Sequence, residues 1–512
     1  MNTSFPTIVM RIFSFILILS VLAAYPGRAP GGVSAAATII PVFHVTNSVG
    51  PGGDGASWAT AFNDLQDAIT AVQVSATCQV NPCQIWVAGG PYMLEDGHSF
   101  NLNGGSEFIY GGFIGNEIDL SARNWRAHPT TLVGKNSNVI YAYGFTGALD
   151  GFTIMGGAPT GQVNGRGGGI SIKCGAPLLF NLNITGNSAS HYGGGVYMDF
   201  FGCPPQASNP SLMNTIITNN SALYGGGVAF LGKFPTLIDV VLSGNTATQG
   251  DGIYNYISSP TLTNTTMSND GIYNYQSSPT IQNSILWGLN SAITNEDSNG
   301  VTTITYSLVK GCKPGATWND ACGTDGGHNL ADIDPKFVGE LPLDLHLQAA
   351  SPAIDQGSNA LIPGYVTATD LDGNPRVANS VVDLGAYEFQ SANVPPVVTN
   401  FTKTGLKNQD IPFALPDFTS HYSDADGDAL NSVRIIVLPA QGSLDLAGNP
   451  VTLNQVIPAG SLSSLHFSPS SDWGGTVMFG WTASDGKAFS PNTATVTILV
   501  FSFQTFIPDV RK

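Results

Sequence analysis

The stretches Gly167-Gly168-Gly169-Ile170, Gly193-Gly194-Gly195-Val196 and Gly225-Gly226-Gly227-Val228 repeat one pattern, three glycines followed by an aliphatic residue. Degenerate copies follow at Gly250-Asp251-Gly252-Ile253 and Asp270-Gly271-Ile272. The spacing between the aliphatic residues runs from 19 to 32 residues. Self-similarity at such a period indicates stacked repeating units rather than a single globular core.

A second element recurs between the triplets, in Asn187-Ser188-Ala189, Asn220-Ser221-Ala222 and Asn245-Thr246-Ala247. Each unit is too short for a propeller blade of about 40 residues, and it holds two or three short strands. We therefore expect an all-β chain built around a parallel β-helix, with coils stacked about 4.8 Å apart. Glycine suits positive φ angles and crowded backbone, the next aliphatic residue points inward, and asparagine amides bond between coils.

The region before the repeat predicts a cap for the first coil. An amphipathic helix is expected over residues 57–73, because apolar residues recur there at spacings of three and four. This stripe consists of Trp58, Phe62, Leu65, Ile69 and Val72. A helix here would cover strand edges that otherwise invite aggregation.

Composition and charge exclude several classes of partner. Charged residues make up 10% of the 512-residue chain, hydrophobic residues 42%, and the net charge is −17. Nucleic acids require clustered Lys and Arg, whereas the 18 basic residues of this chain are scattered. Anionic membrane surfaces are disfavoured for the same reason. The chain therefore predicts a folded protein with a polar, weakly charged surface.

The N-terminus resembles a secretory signal. Arg11 precedes an apolar run from Ile12 to Ala24, and Ala35-Ala36-Ala37 offers small residues for cleavage. The run falls short of the roughly 20 residues that span a bilayer, so no membrane span is expected after signal removal. An uncleaved anchor is the alternative interpretation.

The expected segments are a signal peptide (1–37), an N-terminal cap with the first coils (38–130), β-helix repeats (131–310), C-terminal coils or cap (311–390), a linker (391–397) and a β-sandwich (398–512).

Six cysteines fit export to an oxidising compartment and fall into three local pairs. Cys174 and Cys203 each follow a glycine triplet and would lie on neighbouring coils, where a separation of about 4.8 Å permits a disulfide. We expect structural disulfides throughout, since no spacing indicates zinc. The predicted pairs are Cys78 with Cys83, Cys174 with Cys203, and Cys312 with Cys322.

After the linker, the tail alternates short strands with turns. About seven strands in roughly 100 residues indicate a β-sandwich. The expected strands include Val433–Leu438, Val451–Leu453, Leu465–Phe467, Val477–Trp481 and Ala494–Val500.

The triplets and the Asn-Ser-Ala elements resemble bacterial secreted right-handed parallel β-helix proteins with polymorphic outer-membrane-protein repeats, often labelled choice-of-anchor Q. The resemblance covers about residues 43–390 and implies export, an extracellular or surface location and no agreed enzymatic activity. Autotransporting relatives end in a membrane barrel, but the roughly 120 residues that follow here match a sandwich better. Further matching stretches are Gly55-Ala56-Ser57-Trp58, Leu65-Gln66-Asp67-Ala68, Tyr110-Gly111-Gly112-Phe113, Ser351-Pro352-Ala353-Ile354-Asp355, Thr369-Asp370-Leu371-Asp372-Gly373-Asn374-Pro375-Arg376 and Asp383-Leu384-Gly385-Ala386-Tyr387-Glu388.

The tail resembles bacterial cadherin-like, immunoglobulin-like modules, through Pro395-Pro396-Val397, Tyr422-Ser423-Asp424-Ala425-Asp426-Gly427-Asp428 and Trp481-Thr482-Ala483-Ser484-Asp485-Gly486. Such modules are spacers or adhesion units, some with calcium. Asp424, Asp426 and Asp428 alternate around a glycine and offer the oxygen ligands that calcium prefers. Calcium is therefore the one expected cofactor, and an ordinary acidic turn is the alternative. A second turn, Asp370-Leu371-Asp372-Gly373-Asn374, is expected to be structural.

Four tyrosines occupy equal positions on adjacent coils and flank inward residues, so they are expected to point outward. They form either a ligand-binding surface, for a sugar polymer, or a stabilising aromatic ladder. The four are Tyr254, Tyr256, Tyr273 and Tyr275.

No catalytic residues are predicted. Asp251 and Asp270 replace glycine in the repeat and form the one candidate carboxylate pair, although solvated turn acids are the simpler interpretation. The sequence favours a secreted, non-enzymatic protein that binds extracellular polysaccharide or a surface protein. A polysaccharide lyase or glycosidase on a pectin lyase-like β-helix and a structural envelope spacer are the alternatives, since fold alone does not imply function.

Overall fold

Two compact units, Met1–Gln390 and Ser391–Lys512, make up the chain. The computed structural model describes residues 40–161, 165–204, 208–288, 292–297, 300–340, 343–364, 368–390, 393–425 and 427–502. The predicted signal peptide (1–37) and Asp426 lie outside the described residues.

The first unit consists almost entirely of short strands. In chain order they are β1 (Val42–Val45), β2 (Gln84–Ala88), β3 (Gly90–Met93), β4 (Phe100–Asn103), β5 (Phe108–Phe113), β6 (Thr130–Val133), β7 (Ile140–Tyr143), β8 (Ala148–Asp150), β9 (Phe152–Met155), β10 (Ile170–Lys173), β11 (Leu178–Phe180), β12 (Asn183–Thr185), β13 (Val196–Asp199), β14 (Ser211–Thr218), β15 (Val228–Leu231), β16 (Thr236–Ser243), β17 (Ile253–Tyr256), β18 (Thr261–Thr263), β19 (Thr266–Ser268), β20 (Ile272–Tyr275), β21 (Thr280–Gln282), β22 (Ile285–Trp287), β23 (Ile293–Asn295), β24 (Thr303–Thr305), β25 (Leu308–Val309), β26 (Thr324–Asp325), β27 (Phe337–Glu340) and β28 (Leu343–Leu347).

All of these strands except the antiparallel pair β27 and β28 join three parallel columns, and the long strands β14 and β16 each take part in both column two and column three. Column one runs β4-β7-β10-β13-β15-β17-β20-β23. Column two runs from β1 through β2, β5, β8, β11, β14, β16, β18, β21 and β24 to β26. Column three runs from β3 through β6, β9, β12, β14, β16, β19 and β22 to β25. The expected parallel β-helix is confirmed.

The glycine triplets have the two roles that the sequence predicted. Gly193 has a φ of +62°, where a side chain would be strained. A Cβ on Gly194 would lie 2.5 Å from the carbonyl oxygen of Gly226, so crowding between coils excludes any side chain there. Val196 pairs with Ile170 on one side and Val228 on the other, and its side chain is buried in the interior. The triplet thus turns the chain and permits close stacking.

Buried asparagines connect successive coils on one edge of the solenoid. The Asn187 side-chain amide donates to Asn220 Oδ1, and the Asn220 amide donates to Asn245 Oδ1, each at 3.0 Å. The backbone N–H of Asn187 also donates to Asn220 Oδ1, and that of Asn220 to Asn245 Oδ1, again at 3.0 Å. The predicted amide ladder is therefore present, and it satisfies polar groups that would be costly to bury alone.

The N-terminal cap differs in detail from the expected helix over residues 57–73. A 3-10 turn covers Trp58–Thr60, and helix α1 begins only at Leu65 and ends at Val74, followed by α2 (Ala76–Val80). The helix is delayed because Phe62 pairs with β1: its N–H donates to the His44 carbonyl, and its carbonyl accepts the Thr46 N–H. Asp64 then caps α1 by accepting the Gln66 N–H at 2.7 Å. Apolar α1 side chains join the solenoid core and cover its first coil.

The region expected to cap or extend the last coil takes two courses. Its first part adds β26 to the end of column two. Its later part, from the antiparallel hairpin β27–β28 onward, lies along the side of column three instead. Outward residues Val241, Ile285 and Leu308 pack against Leu345 and Leu384 there. This packing buries an apolar stripe on the outer face of the solenoid.

Buried polar contacts hold this lateral segment in place. Arg376, 2% exposed, donates through Nη1 to the carbonyl of Ala386 at 2.9 Å and through Nη2 to that of Gly385. Its Nε lies 3.6 Å from the buried Asp239 Oδ1. Burial raises the pKa of Asp239 to about 6, against the opposing effect of the Arg376 charge.

All three predicted disulfides are present: Cys78–Cys83, Cys174–Cys203 and Cys312–Cys322. The Cα atoms of Cys174 and Cys203 are 5.1 Å apart. The backbone N–H of Cys174 donates to the carbonyl of Asp199, which places this bridge between the neighbouring coils of β10 and β13.

The second unit is an antiparallel β-sandwich with one parallel pair. Its elements are β29 (Val397–Val398), β30 (Phe401–Leu406), β31 (Ile411–Pro412), α3 (Leu415–Thr419), β32 (Tyr422–Ser423), β33 (Ser432–Val437), β34 (Ser443–Leu446), β35 (Asn449–Pro450), β36 (Val456–Pro458), β37 (Leu465–Ser468), β38 (Gly475–Ser484) and β39 (Ala494–Phe501). The larger sheet has the order β30-β39-β38-β33-β36, the smaller sheet β31-β37-β34-β35, and β29 pairs with β32. Trp481, Phe479, Phe467 and Phe418 are buried in its core. The expected strand at Val451–Leu453 is wrong, since Val451 and Thr452 are irregular and a turn begins at Leu453.

Candidate functional site

The predicted tyrosines stack in two rows on the outer side of column one. The Tyr254 and Tyr273 rings lie 5.5 Å apart at 11°, and the Tyr256 and Tyr275 rings lie 5.0 Å apart at 3°. Their backbones are in register on β17 and β20. They point outward because Ile253, which precedes Tyr254, fills the interior.

The two rows differ in exposure. Tyr256 and Tyr275 are half-buried and accessible. Tyr254 and Tyr273 are only 6% and 9% exposed, so the expectation that both rows are exposed is wrong for this row. Burial also raises the pKa of the Tyr254 phenol.

Three further tyrosines that the sequence reasoning missed bury this row. Tyr192 and Tyr224 stack at 5.1 Å, and the Tyr224 ring lies 5.1 Å from Tyr254. Both residues directly precede a glycine triplet, which is the signal that could have found them. Together with Tyr197 they complete a cluster that we call the tyrosine face: Tyr192, Tyr197, Tyr224, Tyr254, Tyr256, Tyr273 and Tyr275.

A cation borders the tyrosine face. The Arg166 guanidinium carbon lies 5.6 Å from the ring centroids of both Tyr192 and Tyr197, and its Nη1 donates to the Tyr197 hydroxyl at 3.2 Å. At the opposite end, the Gln249 amide donates to the Tyr273 hydroxyl at 3.1 Å. The face therefore combines flat apolar rings with hydroxyl, amide and guanidinium groups at its margins.

The Asp251–Asp270 pair does not form a glycosidase arrangement. Asp270 is fully buried and continues the asparagine ladder, with Oδ1 accepting the Asn245 N–H at 3.0 Å and Oδ2 accepting the Asn245 amide at 2.6 Å. Asp251 Oδ1 accepts the N–H of Ala247 at 2.6 Å. Burial raises the pKa of Asp270 to about 7, and the Asp251 charge adds to this effect. Asp270 is thus part of the solenoid interior, out of reach of a polymer.

The predicted calcium loop contains a cation of its own. Asp424 Oδ1 accepts the Asp428 N–H at 3.1 Å, and Lys487 Nζ lies 2.9 Å from Asp428 Oδ2. Calcium would have to displace this ammonium group from Asp428. Among the described residues, which exclude Asp426, no group of three His, Cys, Asp or Glu side chains is arranged to hold a metal ion. Calcium binding at Asp424, Asp426 and Asp428 therefore stays a prediction.

The turn at residues 370–374 is structural, as expected. Asp370 Oδ1 accepts the N–H groups of Asp372 and Asn374 at 3.1 and 2.8 Å, and its Oδ2 accepts the Glu388 N–H at 3.0 Å. Both oxygens of this carboxylate are therefore used, Oδ1 to close the turn and Oδ2 to attach it to Glu388 within the lateral segment.

The comparisons with known proteins concern the second unit. Residues 393–499 match the family model of a bacterial Ig domain. This domain is typical of extracellular or surface proteins, which supports such a location for the chain. A comparison with curated proteins finds no match. Within the described ranges, no helix has the length and apolar character needed to cross a bilayer. The resemblance of the first unit to a particular repeat family stays a prediction.

Proposed function

We propose that the chain is a secreted or cell-surface protein whose β-helix binds an extracellular polysaccharide through the tyrosine face, without chemical conversion of it. The single observation that carries this proposal is the stack of aromatic rings on successive coils, with Tyr256 and Tyr275 accessible and 5.0 Å apart. The bacterial Ig domain, a module of surface and extracellular proteins, is consistent with a role in adhesion.

The geometry of the face suits a chain-like ligand. Rings at one coil spacing present a continuous apolar surface against which the carbon-bound hydrogens of sugar rings can pack, while phenol and guanidinium groups at the margins bond to hydroxyls. The net charge of −17 disfavours strongly anionic polymers at long range. An uncharged polysaccharide is therefore the favoured ligand, ahead of an acidic surface protein.

The two alternatives give different results in one experiment. An enzyme would release oligosaccharides or new unsaturated ends from a polymer, and a passive spacer would neither bind nor cleave. The buried position of Asp270 speaks against the one candidate carboxylate pair and so supports binding over catalysis.

The proposal is tested by affinity electrophoresis through gels that contain uncharged polysaccharides. The variant Tyr256→Ala/Tyr275→Ala should lose retardation while keeping its thermal midpoint, because both side chains are half-exposed. Tyr143→Ala is the matched control: this tyrosine is 50% exposed and lies in the same strand column and register, but outside the stack. The proposal is refuted if the gel retards both variants equally, or if it does not retard the wild type.

A further inference from the structure

A groove of about 300 Å³ lies on the outer surface of the first unit, where columns two and three meet. Asn181, Asn183 and Asn214 form its solenoid side, and Asn181 and Asn214 have positive φ angles at the corner between the columns. Ile216 and Leu371 contribute apolar side chains to it, while Phe152 and Leu182, which also border it, belong to the solenoid core. This volume is at the lower end of the range found for small-molecule sites.

One wall of the groove is an insertion between β5 and β6. The Arg126 guanidinium carbon lies 4.1 Å from the Trp125 ring centroid, so these two residues form one packed wall. Arg126 Nη2 also donates to the carbonyl of Leu371 at 2.7 Å, which connects the insertion to the lateral segment. A Cβ on Gly112 would lie 2.3 Å from the Trp125 Cα, so only glycine lets the wall approach the sheet this closely.

The lateral segment, which touches Arg126 through Leu371, contributes Asp372 together with a counter-ion. Asp372 Oδ2 lies 2.5 Å from His346 Nε2, and His346 Nδ1 lies 2.5 Å from Asp344 Oδ1. The hydrogen bond with Asp372 raises the pKa of His346 to about 9, so the imidazole is protonated at neutral pH. The carboxylate is therefore fixed in position, and its charge is offset by the imidazolium.

The solenoid side is also held in position. Asn181 Nδ2 donates to Asp150 Oδ1 at 2.8 Å, and Asp150 Oδ2 pairs with Arg123 at 2.5 Å. These contacts orient the Asn181 amide before any ligand arrives, which lowers the entropic cost of binding.

We propose that this groove is a second ligand site, one that takes a short stretch of an uncharged saccharide. Amides offer both donors and acceptors, as hydroxyl groups do, while the carboxylate only accepts and the guanidinium only donates. The positive and negative groups of the walls nearly balance, so the groove favours neither anions nor cations. This inference takes its class of ligand from the proposed function but uses different residues from the tyrosine face.

The test is isothermal titration calorimetry of the full chain with maltohexaose, cellohexaose, mannohexaose and xylohexaose, and with hexagalacturonate as the acidic comparison. At least one uncharged hexasaccharide should bind, and Asn183→Ala should weaken it by about tenfold through loss of one hydrogen-bonding side chain. Asn183 is half-buried on the outer side of β12, so this variant should fold, and Trp125→Phe provides a second change, in the wall formed by the insertion between β5 and β6. Asn103→Ala, an exposed asparagine of column one, is the matched control.

Failure of either proposal can be recognised separately. The groove inference is overturned if no uncharged hexasaccharide binds the wild type, or if Asn183→Ala and Trp125→Phe both bind it as tightly as the wild type does. It is also overturned if hexagalacturonate binds more tightly than every uncharged hexasaccharide. The proposed function fails instead if hexasaccharides bind in the groove while retardation in polysaccharide gels does not depend on Tyr256 and Tyr275.

Discussion

Asp270 accepts two hydrogen bonds from Asn245, one from the backbone N–H at 3.0 Å and one from the side-chain amide at 2.6 Å. It therefore occupies the position that an asparagine holds on each of the three preceding coils. An asparagine there also donates to a carbonyl of the previous coil, as Asn245 does to Ile217 at 2.8 Å. An ionised Asp270 has no proton to donate, so the ladder ends in a buried negative charge.

We predict that Asp270→Asn stabilises the first unit at and above pH 7. Because burial raises the pKa of Asp270 from 3.8 to about 7, the folded wild type binds a proton that the unfolded chain has released. Wild-type stability from this group is therefore greatest below pH 4 and falls as pH rises towards 7. The asparagine cannot ionise, and its amide can donate to the Leu242 carbonyl, the register equivalent of Ile217.

Urea unfolding at several pH values measures this effect. The difference between Asp270→Asn and wild type should grow with pH and reach about 2 to 4 kcal/mol at pH 8. Asp67→Asn is the control, because it removes an exposed carboxylate on α1, outside the asparagine ladder. A constant difference from pH 4 to pH 8 would contradict the assignment of the titrating group.

The sequence predicted the stacking of coils better than the role of this aspartate, for a physical reason. Val196 and its counterparts follow glycines, and the backbone constraints on those glycines are local. The sequence alone was therefore enough to predict which residues point inward and stack on one another. Asp270 is followed by glycine, which suggested alignment with the triplets. In the preceding coil, a loop that includes Gly250 separates Asn245 from Ile253, but no such loop separates Asp270 from Ile272. The structure therefore aligns Asp270 with Asn245 and Ile272 with Ile253.

The groove could not be predicted, because its walls come from distant parts of the chain. Arg126 and Leu371 are separated by 245 residues and meet only because the C-terminal segment folds back along column three. The sequence did contain a weak signal, since Asp119, Arg123 and Arg126 lie in one insertion of a chain with 10% charged residues. A local concentration of charge in a weakly charged solenoid marks a segment that contacts something other than the next coil.

We predict that Arg376→Met detaches the lateral segment. The substitution removes the donors to the Gly385 and Ala386 carbonyls and leaves Asp239 buried without its counter-ion. Loss of one partner of a buried ion pair costs about 3 to 5 kcal/mol. Hydrogen exchange of residues 368–390 should accelerate strongly, while exchange of column one stays slow. Adding Asp239→Asn should restore part of the protection, and unchanged exchange in the single variant would show that Arg376 does not hold the segment.

We predict that removing the Cys174–Cys203 bridge destabilises the solenoid more than removing Cys78–Cys83. The two bridges close loops with sequence separations of 29 and 5 residues. On loop-closure entropy the expected losses are about 3.6 and 2 kcal/mol. Chemical denaturation of Cys174→Ser/Cys203→Ser and Cys78→Ser/Cys83→Ser measures them. A reversed order would indicate that the N-terminal cap, rather than the coil stack, limits stability.

Calcium binding by the Asp424, Asp426 and Asp428 loop is the last prediction, and Lys487 makes it testable. If calcium binds here, it competes with the ammonium group that lies 2.9 Å from Asp428 Oδ2. We therefore expect Lys487→Gln to bind calcium more tightly than wild type, and Asp424→Asn to bind it more weakly, because a carboxylate ligand is lost. The thermal midpoint of the Ig domain, followed against calcium concentration, measures both effects. Lys403→Gln, which removes an ion pair with Asp417 elsewhere in this domain, is the matched control. If calcium changes the thermal midpoint of neither the wild type nor Lys487→Gln, the prediction is contradicted. The loop is then an ordinary acidic turn, closed by the Asp428 N–H and by Lys487.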